Sequence, residues 1–186
     1  LMEDPDRLKL GGERRMLTVL FSDVRGFTSF SESRQPEEVV GMLNEILGEQ
    51  VEVVFRHGGT LDKFVGDELM AFFGAPGTRH LKDHALVAVR VAVEIQERMR
   101  LLQQKRVRDN KHPLQIGIGI NTGEMVVGNM GSSARMDYTV IGDNVNLGAR
   151  LCSAASKDEI IISESTYALV AEHVHEGLFA LGDDGG

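Results

Sequence analysis

An α/β (α+β) domain built on a mostly antiparallel sheet, with helices packed on one face of it, is the fold class this sequence predicts. Three observations carry that reading. Short apolar runs and longer stretches of helical spacing follow in the order strand, helix, hairpin, helix, hairpin, helix, strand. The runs 60–65 and 68–73 are separated only by Gly66 and Asp67, too little chain for a parallel crossover. The glycine pattern GIGINTG at 117–123 follows no βαβ unit, so a doubly wound dinucleotide fold is disfavoured.

Taken in order, residues 1–14 are polar and charged, broken by Gly11-Gly12, and read as a linker from an upstream module. Residues 15–180 form the domain, and 181–186 (LGDDGG) read as a disordered tail. Arg15 to Ser22 (RMLTVLFS) is an apolar run of strand length, suited to a strand buried on both faces. A polar turn, DVRGFTSFSES, follows, and Pro36 with Glu37 and Glu38 opens a helix. Val40, Leu43, Leu47, Val51 and Val54 form its apolar stripe, and Gly58-Gly59 ends it. After the tight hairpin at 60–73, a second helix runs from about His80 to Gln104 on the stripe Leu81, Ala85, Ala88, Ala92, Ile95, Met99 and Leu102. The basic segment KRVRDNK reads as a loop. Gln115 to Ile120 alternates isoleucine with glycine, Asn121-Thr122-Gly123 reads as a turn, and Glu124 to Val127 as the next strand. Val145 to Ala155 is helical in pattern, Glu159 to Ile162 is a short strand, and Ser163 starts a last helix.

Composition narrows the function classes. The 186 residues are 42% hydrophobic, enough for one domain with a sizeable core. Twenty Lys and Arg against 28 Asp and Glu leave a formal charge of −8, which argues against a nucleic-acid polymer as partner. A nucleotide substrate stays open, because bound metal ions neutralise phosphates locally. The single cysteine, Cys152, cannot make an internal disulfide, fits a reducing compartment and reads as a small core residue. No apolar run is long enough to span a bilayer. The chain opens at Leu1 rather than at a methionine, which reads as a piece of a larger protein. His80, His84, His173 and His175 read as surface histidines; Leu81 stands where an HExxH zinc motif needs its glutamate.

Two carboxylates stand out. Asp23 lies where the first apolar run stops, and Asp67 in the tight hairpin turn. A pair of oxygen ligands on neighbouring strands suits Mg²⁺ or Mn²⁺. Each aspartate alone reads equally well as a turn residue. Composition and spacing therefore leave both a divalent-metal site and two turn caps standing.

The segments FSDVRGFTSFSE (21–32), LDKFVGDELMAFFG (61–74) and DYTVIGDNVNLGARL (137–151) resemble the class III adenylyl cyclases in order and spacing. The resemblance implies the cyclase homology domain, with its ferredoxin-like, mostly antiparallel sheet, and two Mg²⁺ or Mn²⁺ ions per active site. By it, Asp23 and Asp67 bind both metals, helped by the Val24 carbonyl, and backbone amides across Val24, Arg25, Gly26, Phe27 and Thr28 cradle the triphosphate. Lys63 and Thr139 match the base-reading pair of the bacterial-type members, a donor toward adenine N1 and a hydroxyl accepting from its N6 amino group. Asn146 and Arg150, four apart on a predicted helix, match the pair that holds the ribose and stabilises charge at the attacked phosphorus. Without these motifs, Lys63 would be a solvated strand residue, Thr139 a β-former, Asn146 a helix start and Arg150 a surface cation.

The implied activity is conversion of ATP to 3′,5′-cyclic AMP and pyrophosphate in a homodimer, metals and phosphate turn coming from one chain and Lys63, Thr139, Asn146 and Arg150 from the other. Guanylyl cyclase activity, and a catalytically weak nucleotide-binding or dimerising signalling domain, are the alternatives. A diguanylate cyclase would carry paired glycines before the acid, whereas residues 65–69 read VGDEL. Two departures from the family pattern stand: Glu124 where some members have a basic residue, and no triphosphate-contacting lysine in the C-terminal LFALGDDGG. The leader GGERR resembles a junction between a sensor and a cyclase domain. It implies a parent protein with an N-terminal sensor, compatible with a membrane anchor, and a catalytic domain in the cytoplasm.

Overall fold

A computed structural model describes residues 10–77 and 81–173. The long strand β1 (Gly11–Val24) lies at the centre of the sheet. Leu17, Val19 and Phe21 point to one face, and Leu20 and Val24 to the other, so the run is apolar throughout instead of alternating. The hairpin β2 (Thr60–Val65) and β3 (Glu68–Phe73) flanks one side, and β4 (Ile116–Ser132) with β5 (Arg135–Ile141) the other, all antiparallel, in the order β2-β3-β1-β4-β5. The short β6 (Ile160–Ile162) adds to β4 in parallel through Ile118–Ile120.

Helices α2 (Pro36–Arg56), α3 (Leu81–Arg108) and α5 (Glu164–His173) cover one face. Helix α4 (Asp143–Ala154) lies on the opposite face, against Leu17, Val19 and Phe21 through Val145, Ala149 and Cys152. The expectation of helices on one face is thereby corrected. The physical reason lies in the glycine side of β4. A Cβ at Gly119 would stand 2.2 Å from the Cys152 backbone nitrogen, and one at Gly148 would stand 2.7 Å from Val19 Cγ2. The alternation of glycine with isoleucine gives β4 a flat side on which a helix backbone can rest.

Other boundaries moved for identifiable reasons. Gly11–Arg14 pair with Val126–Asn129 and belong to the sheet rather than to a linker. The expected polar turn contains a short helix, α1 (Phe27–Glu32). Lys105 to Arg108 continue α3, because Arg106 is buried and tied to Glu45 of α2 at 3.0 Å and to the His112 carbonyl at 2.9 Å. Asn121-Thr122-Gly123 does not turn: it pairs with Val19, Thr18 and Leu17. Its polar side chains are satisfied inside, Thr122 Oγ1 by Thr18 and Thr166, and Asn121 Nδ2 by the Asn144 carbonyl. The turn lies instead at 132–135 and leads into β5, a strand the apolar pattern did not mark. On α2 the buried stripe is Met42, Ile46, Val53 and Val54, and Val40 is exposed. His84 is buried, not on the surface, with Nδ1 at 2.9 Å from Thr18 Oγ1. His80, His175 and the tail at 181–186 lie outside the described residues.

The packing makes a prediction of opposite signs for two glycines. Gly119→Ala should cost about 1–3 kcal/mol by overpacking against α4. Gly48→Ala, exposed in mid-helix with open space around it, should stabilise by about 0.5–1 kcal/mol. Urea melts of both variants test this; an unperturbed Gly119→Ala contradicts the packing of α4.

Candidate active site

The metal-ligand candidates are set by strand ends. β1 delivers Asp23 at its C-terminal end, and the β2-β3 turn delivers Asp67 beside it. Gly66 at φ 60° supplies the positive φ that a two-residue hairpin needs, which leaves Asp67 as the outward corner. The Val24 amide donates to Asp67 Oδ2 at 3.1 Å, so the two strand ends are joined by a hydrogen bond. Burial, and then the adjoining Asp23 carboxyl through a hydrogen bond and its charge, push Asp67 up to about 7. Burial and the Asp23 charge also raise Glu68, against a smaller opposing effect of Arg25.

These adjoining carboxylates, partly buried, have no ion-pair partner among the described residues. An all-oxygen pair of this kind fits a hard divalent cation. Among the described residues no cluster of three or more His, Cys, Asp or Glu could hold an ion. Mg²⁺ typically asks for only one or two carboxylates, completed by water and substrate phosphates.

The phosphate-turn candidates follow directly. Gly26, at φ 76°, precedes α1 in the left-handed region without a side-chain cap. The amides of Phe27 and Thr28 open that helix and have no carbonyl within it to accept them. Phe27 packs partly against the core. The Arg25 side chain turns the other way: its guanidinium donates to the Cys152 carbonyl at the end of α4 and fills the space beside Gly117. Burial pushes the Cys152 thiol up to about 12, so it is a packing residue rather than a nucleophile.

Lys63 and Thr139 stand on the two opposite edges of the five-strand path, yet the structure brings them to one carboxylate. Thr139 Oγ1 donates to Asp62 Oδ2 at 2.6 Å, and Lys63 Nζ is 3.7 Å from Asp62 Oδ1. The sheet therefore curls enough for β2 to meet β5. A register shift between Leu61 and Lys63 falls at Asp62. Asp62 and Glu68 are the site residues that sequence reasoning missed. In a regular strand Asp62 would face away from Lys63, and nothing in the local sequence marks the irregularity.

Asn146 and Arg150 lie one turn apart on α4, both exposed, and neither side chain has a hydrogen-bond or ion-pair partner among the described residues. No hydrogen bond or ion pair among the described residues joins three groups to one another: Asp23 with Asp67, Lys63 with Thr139, and Asn146 with Arg150. Glu124 pairs with Arg14 at 2.8 Å on the surface. The C-terminal segment without the expected lysine lies outside the described residues from 174 onward. A cavity of about 620 Å³ lined by Arg100, Gln103, Val107, Arg108, Pro113 and Asp158 shares none of these residues.

Comparison with known proteins follows the same motifs. The family model of the adenylate and guanylate cyclase catalytic domain matches residues 12–181. An uncharacterised protein of Mycobacterium tuberculosis strain H37Rv is 39% identical over 151 residues, 81% of this chain and 26% of its own length. The chain thus spans about a quarter of that relative. The adenylyl cyclase CyaB of P. aeruginosa superposes with a TM-score of 0.82 at 46% identity, covering 88% of this chain and 84% of that one. The guanylyl cyclase Cya2 superposes with a TM-score of 0.81 at 47% identity, covering 86% and 80%. A match that runs unbroken from β1 through the hairpin to α4 and beyond leaves a single assignment, and the chain belongs to the class III adenylate and guanylate cyclase catalytic-domain family.

Proposed function

We propose that this cyclase domain takes ATP and forms 3′,5′-cyclic AMP, at sites shared between two copies of the chain. The observation that carries the choice of ATP is the convergence of Lys63 and Thr139 on one carboxylate. Together they present a donor and a hydroxyl side by side, the complement of adenine N1 and its N6 amino group. Guanine would set its N1–H against the lysine.

In the reaction the ribose 3′ oxygen attacks the α-phosphorus, the bond to pyrophosphate breaks, and the hydroxyl proton passes to solvent. Asp23 and Asp67, with the Val24 carbonyl, are the residues to hold the divalent ions. When bound, Mg²⁺ or Mn²⁺ lowers the pKa of the hydroxyl and neutralises phosphate charge. The opening amides of α1 and Gly26 orient the phosphates. Asn146 holds the ribose and Arg150 offsets the charge that grows at phosphorus.

Two features support the dimer. No hydrogen bond or ion pair among the described residues joins Asp23 and Asp67 to Lys63 and Thr139, or either pair to Asn146 and Arg150. Large apolar side chains also stand exposed beside them, Phe64 and Val65 on the hairpin and Ile141 at the end of β5. The second reading, GTP as substrate, is favoured by the 47% identity to the guanylyl cyclase Cya2. A sensor module upstream of β1 in the parent chain and a cytoplasmic setting for this domain complete the proposal.

Incubating the domain with ATP or GTP and Mn²⁺ and resolving the products tests it: cyclic AMP as the main product supports the reading, and cyclic GMP overturns it. Asp23→Asn and Asp67→Asn should each abolish turnover while far-UV circular dichroism stays native; full activity in either sinks the metal assignment. Arg150→Ala should lower kcat by about 10²–10³-fold with little change in KM; a rise in KM alone would place Arg150 in ground-state binding.

A further inference from the structure

We propose that Asp62 sets nucleobase choice in this domain, as a positioning residue that fixes which way the Thr139 hydroxyl points. The proposal rests on the ATP reading above and names the device behind it. Asp62 has a side chain only 2% exposed, and its two oxygens face two different partners, Thr139 Oγ1 at 2.6 Å and Lys63 Nζ at 3.7 Å.

The argument is one of hydrogen-bond inventory. A carboxylate only accepts, whereas a threonine hydroxyl has one hydrogen and two acceptor positions. At 2.6 Å the single Thr139 hydrogen is committed to Asp62 in a short, charge-assisted bond. What remains of Thr139 toward a ligand is acceptor alone. Left free to rotate, the same hydroxyl could donate to guanine O6 as readily as it accepts from the adenine N6 amino group. Bound to Asp62 it can only do the latter, and a guanine O6 would meet a lone pair.

The second Asp62 oxygen acts on the other half of the pair. Lys63 has three N–H donors, a side chain 52% exposed, and Asp62 as its single ion-pair partner among the described residues. The carboxylate draws the ammonium to the side of Thr139 and leaves donors free for the base. One buried acid thereby makes one neighbour a pure acceptor and anchors a pure donor beside it. That polarity matches the Watson–Crick edge of adenine and opposes that of guanine. The shift of register between Leu61 and Lys63 brings Asp62 and Lys63 to bear on the same place.

Asp62 also clasps the two edges of the sheet, so its test needs a readout that a clasp does not move. That readout is the ratio of kcat/KM for ATP to kcat/KM for GTP, measured on the wild-type dimer and on Asp62→Ala, Thr139→Val and the double variant. The expected result is a fall of about 5- to 100-fold in the ratio for Asp62→Ala. A fall is also expected for Thr139→Val, and the double variant should lose less than the product of the two single losses, because part of the effect of Asp62 passes through the hydroxyl. Should Asp62→Ala not fold, Asp62→Asn keeps the volume, allows the amide to donate to Thr139, and should lower the ratio as well. Equal losses for both nucleotides, with the ratio kept, would show a clasp only and overturn the inference while leaving the ATP reading intact. A wild-type preference for GTP overturns the ATP reading and this inference with it.

Discussion

The contact on which the rest of the fold depends is that of α4 with the glycine side of β4. Gly119 lets the β4 backbone approach the α4 backbone to a distance that any side chain would forbid, and Gly148 of α4 leaves room for the Val19 and Phe21 side chains of β1. Val145, Ala149 and Cys152 then seal the second core against Leu17, Val19 and Phe21 of β1. The same helix carries Asn146 and Arg150, both exposed. The end of α4 also anchors Arg25, whose guanidinium occupies the space that Gly117 leaves open. Packing on this face therefore sets the position of α4 and steadies the turn that follows Asp23.

Electrostatics supplies the second constraint. Asp23, Asp67 and Glu68 crowd partly buried charge at the junction of β1 with the β2-β3 hairpin, and the cost shows in the upward displacement of Asp67 and Glu68. A fold gains nothing in stability from such a cluster. The cluster accords with the proposed function, in which the charges of divalent ion, polyphosphate and protein would balance in the complex. A few residues along β2, at Asp62, the opposite arrangement holds: the buried acid is satisfied within the chain by Thr139 and Lys63.

Much of this was legible in the sequence, and the exceptions share a physical origin. The tight hairpin, with Asp67 in its corner, follows from two turn residues between two apolar runs and was found at the expected residues. The α3 stripe from Ala85 to Leu102 is buried as its spacing required. Tertiary context explains the misses. Asn121-Thr122-Gly123 has the composition of a turn, but Thr18, Thr166 and Asn144 satisfy its side chains and keep the strand straight. His84 reads as a surface residue until Thr18 appears opposite it. β5 carries little apolar signal, because one of its faces is left to polar and exposed residues. Asp62 could not be read locally at all, since its role depends on a register shift and on a strand far along the chain.

The central claim is a cyclase whose active sites are completed by a second copy of the chain. Mixing two inactive variants tests it most directly: Asp23→Ala, which spoils the metal half, and Arg150→Ala, which spoils the other. If each site draws one half from each chain, half the dimers in an equal mixture are mixed, and each mixed dimer retains one intact site of two. The mixture should then recover about a quarter of wild-type cyclase activity. Activity no greater than the average of the two variants alone, with exchange into mixed dimers verified, would contradict the account.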